Sequence, residues 1–310
     1  MAKQALQYRR IFDPGRRRGR KAGRIVTTGF GDQRRQVDYV YSEQITLAVN
    51  VALAAERPLL VRGAAGSGKS SLAADIAECM EWEFYVEVIS SRTQARDLLW
   101  TFDAVQRLRD AQLHLPVDRS EAYVRPGILW RAFDPEGAAA YSTDGPFTHR
   151  DGAVVLLDEI DKAEPDTPND LLVPLGSGTF HVTDMKLDVT IRRARRPLVV
   201  ITTNDERELP NAFTRRCVVL HLPEPDEDWL TDVAAAHFGP DGRKVYRQVA
   251  RYVMDQRKRA TEEDERPPST AEFLDSLQAC RELQVQPGTP AWDEIALATL
   301  TKWVAREDEP

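Results

Sequence analysis

The chain has 310 residues, 42% hydrophobic and 29% charged, enough to bury a full core in one large domain or two modest ones. Its net charge of −7 argues against wholesale non-specific nucleic-acid binding, yet the mean conceals a split: residues 1–40 hold 11 basic and 3 acidic side chains, the remainder 31 and 46. No apolar run approaches the ~20 residues of a membrane helix, so no membrane insertion is expected.

Residues 1–37 contain Arg16-Arg17-Arg18, three glycines from Gly15 to Gly23 and no apolar period, and read as a mobile basic arm. No apolar segment follows this basic start, so it is not a secretory signal. From Tyr39 the pattern turns globular. Ser42 is an N-cap candidate and Glu43 suits a first turn, and Ile45, Val49 and Leu53 share one face, which predicts a helix over 43–55. A strand over 58–61, a helix over 69–80 and a strand over 84–89 follow. Residues 97–111 look helical, and 118–151 form a Gly/Pro-broken insertion. Three further apolar runs, 153–157, 198–201 and 218–222, have buried-strand length. Strands alternating with helices indicate a parallel sheet with covered faces. After Pro223 only helical patterns appear, roughly 225–238, 242–258, 270–284 and 291–306. The expected layout is an arm (1–37), an α/β core (38–223) and a small helical domain (224–310).

Gly63-Ala64-Ala65-Gly66-Ser67-Gly68-Lys69-Ser70, with Ser71 next, fits the phosphate-loop pattern GxxxxGK[ST] between an apolar strand and a helix. Glycines let backbone N–H groups close around phosphate oxygens, and the helix N-terminus adds partial positive charge. In that role Lys69 reaches the β- and γ-phosphates and Ser70 ligates Mg²⁺. Asp158-Glu159 closes the strand Val154-Val155-Leu156-Leu157, at the edge where ligands meet parallel sheets. Asp158 suits Mg²⁺ and Glu159 suits polarising a water. A second buried strand ends at Asn204, placed to orient that water or simply to form the turn before Asp205. Arg215-Arg216 follows, suited to phosphoryl charge or to a surface ion pair. Cys79, Cys217 and Cys280 form no CxxC and the five histidines no ligand spacing. Free thiols in a reducing cytoplasm are expected, and no zinc site.

In this order the residues resemble the AAA+ ATPases, and within them the MoxR family of the helix-2-insert clade, from about Tyr39 to Pro223. The most specific stretches are the phosphate loop, Val155 through Ala163, and Thr202 through Asn204 to Cys217. The resemblance implies a P-loop AAA+ three-layer core with a helical lid. It makes Asp158-Glu159 the Walker B pair, Asn204 sensor 1, and Arg215 or Arg216 the arginine finger. That finger would act in trans in a ring, usually hexameric. Tyr123 to Trp130 resembles the clade's insert, and 179–182 with 187–191, turning at Asp184-Met185-Lys186, its pre-sensor-1 hairpin. Arg192, Arg193, Arg195 and Arg196 follow the hairpin as candidates for a ring pore or, more plainly, for solvated or inter-subunit ion pairs. At the sensor 2 position the chain has Ala271, with Arg266 five residues earlier.

The implied activity is Mg²⁺-dependent ATP hydrolysis coupled, chaperone-like, to remodelling of a protein partner, in this family often a von Willebrand factor A domain protein. A nucleic-acid motor or defence component is the alternative, supported by Arg9, Arg10, Arg16, Arg17, Arg18, Arg20, Lys21 and Arg24. A slow nucleotide-gated assembly switch is the third.

Overall fold

The computed structural model describes residues 8–16, 25–27, 39–141, 150–194, 196–263 and 265–301. The chain divides into two compact units: the larger takes in 41–62 and 69–221 with the N-terminal segment, and the smaller takes in 63–68 and 222 onward with the residues just before Tyr41.

In the larger unit, β1 (Ile25–Thr27) precedes α1 (Glu43–Ala55), β2 (Leu59–Arg62), α2 (Lys69–Cys79) and β3 (Glu83–Val88). The Ser42 side chain accepts from Ile45 N at 3.2 Å, closing an orphan donor at the start of α1. The helix stops at Glu56, whose backbone is left-handed, after burying Ile45, Val49 and Ala52. The helix expected over 97–111 is instead α3 (Ala95–Leu99), β4 (Trp100–Phe102) and α4 (Ala104–Gln112). Trp100-Thr101-Phe102 is a β-favouring triplet, and Asp103 restarts the helix by accepting from Gln106 N at 2.8 Å. β4 pairs antiparallel with β5 (Val124–Pro126), followed by α5 (Ile128–Phe133) and α6 (Pro135–Ala139).

The chain then lays down β6 (Ala153–Asp158), α7 (Thr167–Asp170), α8 (Leu172–Ser177), the hairpin β7 (Thr179–Val182) and β8 (Leu187–Thr190), β9 (Leu198–Thr203), α9 (Asn211–Thr214) and β10 (Val218–His221). The main sheet runs β1-β3-β6-β9-β2-β10, and every pairing is parallel. β9 is buried along its whole length and β6 up to Leu157, as strands covered on both faces must be. On the hairpin, Phe180 stacks on Trp100 at 6.0 Å and meets Trp130 edge-on at 6.1 Å, tying hairpin to insert.

The mobile arm expected over 1–37 is corrected within its described part. Phe12 is completely buried and its ring lies 5.4 Å from that of Tyr41. The Asn50 side chain accepts from Ile11 N (2.6 Å) and Phe12 N (2.9 Å) and donates to Phe12 O (2.8 Å). Ile11-Phe12 alone in an otherwise polar stretch gives no periodicity to read, and the Asn50 that holds it sits 38 residues away. β1 adds an edge strand beside β3. Residues 17–24 and 28–38, with most of the arm's basic side chains, lie outside the described residues.

The smaller unit packs α10 (Glu227–Phe238), α11 (Arg243–Glu262), α12 (Thr270–Glu282) and α13 (Pro290–Ala296) around Leu230, Val249, Val253, Phe273, Leu277 and Trp292. Ser269 and Glu272 form a reciprocal capping box that starts α12. Among the described residues no helix is long and apolar enough to cross a membrane.

Candidate functional site

The parallel register brings three distant stretches of sequence to one sheet edge. Leu157 pairs with Ile201 and Arg62 with Thr203, so β2, β6 and β9 end side by side. After β2 the chain enters Gly63–Gly68, where Gly66 (φ 75°) and Gly68 (φ 87°) have backbones that favour glycine. Lys69 then opens α2, 6% exposed. Its ammonium donates to Asn204 Oδ1 at 2.6 Å. Burial pushes the Lys69 ammonium below the ordinary lysine value, while the charges of Asp158, Asp161, Glu159 and Asp205 pull it back up. The Ser70 hydroxyl lies 2.9 Å from both carboxylate oxygens of Asp158. Ser71 is exposed on the next position of the helix.

Two residues not singled out from the sequence complete this geometry. Thr202 is fully buried on β9. Its hydroxyl donates to Asp158 Oδ1 at 2.5 Å and accepts the N–H of Glu159 at 2.9 Å. Glu159 itself has a left-handed backbone, φ 60° and ψ 50°. Asp161 is 2% exposed, and its Oδ2 accepts from Asn204 N (3.2 Å) and Glu206 N (3.0 Å). Strand alignment carries a signal for Thr202, which follows Ile201 as Asp158 follows Leu157. For Asp161, an acid three residues beyond a strand end reads as solvated until the fold buries it.

Residues 58–217, just over half of the chain, match the family model described as AAA domain, dynein-related subfamily. The chain belongs to this AAA family. It is accordingly an ATPase of the AAA+ type. Among solved structures it is similar to a point mutant of RuvB from Thermotoga maritima, with a TM-score of 0.50 and 14% identity over 87% of this chain and 74% of that one. That likeness concerns the fold. No curated protein matches the sequence.

The AAA domain keeps its two candidate finger arginines away from these groups. Arg215 and Arg216 are exposed and precede β10, whose first residue pairs with Leu59 at the start of β2. They therefore lie at the edge of the sheet opposite the one where Asp158 and Asn204 follow β6 and β9, and Arg216 Nη1 donates to Leu172 O at 3.2 Å. A cavity of about 410 Å³ at that edge is lined by Arg57, Arg196, Arg216 and Cys217 among others, and is distinct from the edge that carries Asp158 and Asn204.

Of the arginines after the hairpin, Arg192 forms the exposed ion pair expected, whereas Arg193 and Arg196 are not the solvated or pore-facing side chains expected. Arg193 is 2% exposed and ion-paired with Glu83, and it donates from Nε to Ala132 O and from Nη1 to Arg150 O at 2.9 Å. Arg196 Nη2 donates to the carbonyls of Leu175 (2.7 Å) and Gly176 (2.8 Å). Arg192 lies 3.7 Å from Asp134, and Arg195 is outside the described residues. The Arg193 and Arg196 side chains tie the segment after β8 to α5 and α8, because guanidinium forks suit the carbonyls that helix C-termini leave unpaired. In the smaller unit, Arg266 pairs with Glu272 at 3.4 Å and Ala271 occupies the first turn of α12.

A hydroxyl and a carboxylate are hard oxygen donors, and Ser70 and Asp158 in contact at the phosphate-loop edge suit Mg²⁺. The fit rests on donor chemistry and adjacency.

Proposed function

We propose that the AAA domain hydrolyses Mg²⁺-ATP in a MoxR-like ring and uses the cycle to remodel or activate a protein partner. The observation that carries the hydrolytic assignment is the double pairing of Lys69 with Asn204 and Ser70 with Asp158 at the carboxyl edge of the sheet. The loop from Gly63 to Ser71 holds the phosphates through its N–H groups. Lys69 exchanges the Asn204 amide oxygen for phosphate oxygens, which offsets the desolvation that lowers its pKa. Ser70 and Asp158 hold Mg²⁺, which when bound neutralises phosphate charge. Glu159 takes the proton of the attacking water, Asn204 orients that water, and the β–γ bridging oxygen leaves with ADP. Arg216 or Arg215 stabilises the transferring phosphoryl group in the neighbouring subunit, since the opposite sheet edge removes both from their own phosphates. Three scattered cysteine thiols suit a reducing cytoplasm.

The remodelling role draws on the hairpin before Asn204, on the insert, and on α4 ahead of it, which buries none of its side chains. ATP turnover and native mass, measured with and without a von Willebrand factor A domain protein and with DNA or RNA, test it. Stimulation by the protein is expected. Stimulation by nucleic acid alone supports the motor reading, which the 11 basic residues of positions 1–40 favour. A slow rate indifferent to both leaves an assembly switch. Glu159→Gln should bind ATP and assemble yet barely hydrolyse; wild-type turnover in this variant removes Glu159 as the base.

A further inference from the structure

We infer that Thr202 is a positioning residue that sets both the Mg²⁺-binding and the water-activating carboxylate of this site; the inference rests on the site assignment above. Beyond Leu157 and Ile201 the backbone ladder between β6 and β9 ends, and the Thr202 hydroxyl takes over. It has one proton to give and lone pairs to offer, and it uses both. The proton goes to Asp158 Oδ1 (2.5 Å), and a lone pair takes the Glu159 N–H (2.9 Å).

The first bond turns the Asp158 carboxylate so that its oxygens face the Ser70 hydroxyl, 2.9 Å from each. The second holds the peptide that leads into Glu159. A glutamate at φ 60° is in a backbone region costly to non-glycine residues. The fixed N–H helps hold that conformation and with it the direction in which the Glu159 side chain leaves the strand. Thr202 is fully buried, so water cannot substitute for its hydroxyl. Valine has the same shape and neither capability; serine keeps the hydroxyl and loses only a methyl.

The test compares the wild type, Thr202→Val and Thr202→Ser. Affinity for a fluorescent ATP analogue is titrated against Mg²⁺ and also measured in EDTA, with turnover alongside. Outer-shell partners of metal ligands are typically worth ~10–100-fold in metal affinity. Thr202→Val should therefore raise the half-saturating Mg²⁺ concentration by ~10–100-fold and lower kcat, with metal-free nucleotide affinity unchanged. Thr202→Ser should behave like the wild type. Wild-type Mg²⁺ dependence in Thr202→Val overturns the inference, as does equal impairment of the serine and valine variants. Should the valine variant fail to fold, Thr202→Ala against Thr202→Ser carries the same comparison of hydroxyl present and absent. A wild-type chain whose nucleotide affinity ignores Mg²⁺ instead overturns the site assignment on which the inference stands.

Discussion

Replacing Arg193 with Met separates a buried ion pair from surface electrostatics. Arg193 and Glu83 are 2% and 5% exposed, so neither exchanges its partner for water. The guanidinium also donates to the carbonyls of Ala132 and Arg150. The same Glu83 accepts from the Tyr85 hydroxyl at 2.9 Å, and burial followed by the Glu83 charge pushes that phenol above its ordinary range. Methionine fills much of the volume but removes the positive charge that balances Glu83. Removing one partner of a buried pair costs about 3–5 kcal/mol, a fifth or more of the ~5–15 kcal/mol that stabilises a typical domain. Urea unfolding followed by the fluorescence of Trp82, Trp100 and Trp130, all in the larger unit, should show the loss. Adding Glu83→Leu to Arg193→Met should recover a large part of it, because two apolar side chains then replace the pair. A loss under about 1 kcal/mol for Arg193→Met is the surface-pair result and would rule out a desolvated ion pair here.

Phe12→Ala should cost about 3–5 kcal/mol in the same assay, so truncating the first 16 residues should destabilise the core; an unchanged midpoint would show that the segment adds nothing. The Cys217 thiol is pushed up to about 12 by burial, against the opposing charges of Arg57 and Arg62. Its folded value lies above its unfolded one of ~8.5, so its contribution is intact below pH ~8.5 and is lost as pH rises towards 12. Cys217→Ser should flatten the alkaline fall in stability relative to the wild type, and identical profiles would count against the assignment. Arg216→Ala or Arg215→Ala should reduce turnover by ~10³–10⁵ in the variant that removes the finger. Mixing that variant with Glu159→Gln should restore part of the rate; no recovery at any ratio would exclude a shared site.

Much of the site was legible locally. The glycines and Lys69 of the phosphate loop, Asp158 directly after four apolar residues, and Asn204 two threonines beyond another such run are each marked by their own neighbours. Hydrophobic burial on both faces of a parallel sheet leaves continuous apolar runs, and the polar residue ending each run is the one that reaches the ligand edge. The helical cover was equally readable where a cap announced it, as at Ser42. The single helix expected over 97–111 failed for the complementary reason: β4 exists because β5 pairs with it, 22 residues downstream.

What only the tertiary structure decided are the partners of single polar or aromatic side chains. Arg193 belongs to a run of arginines that reads as solvated, and Phe12 to an arm that reads as mobile. Both are buried because the fold supplies Glu83 and Asn50 across 110 and 38 residues of sequence. Thr202 and Asp161 acquire their roles the same way, from the register of β9 beside β6 and from the loop folded over Asp161. Apolar periodicity is written along the chain because burial acts on every residue of a face. A hydrogen bond acts on one pair, so its meaning appears only when the chain has brought that pair together.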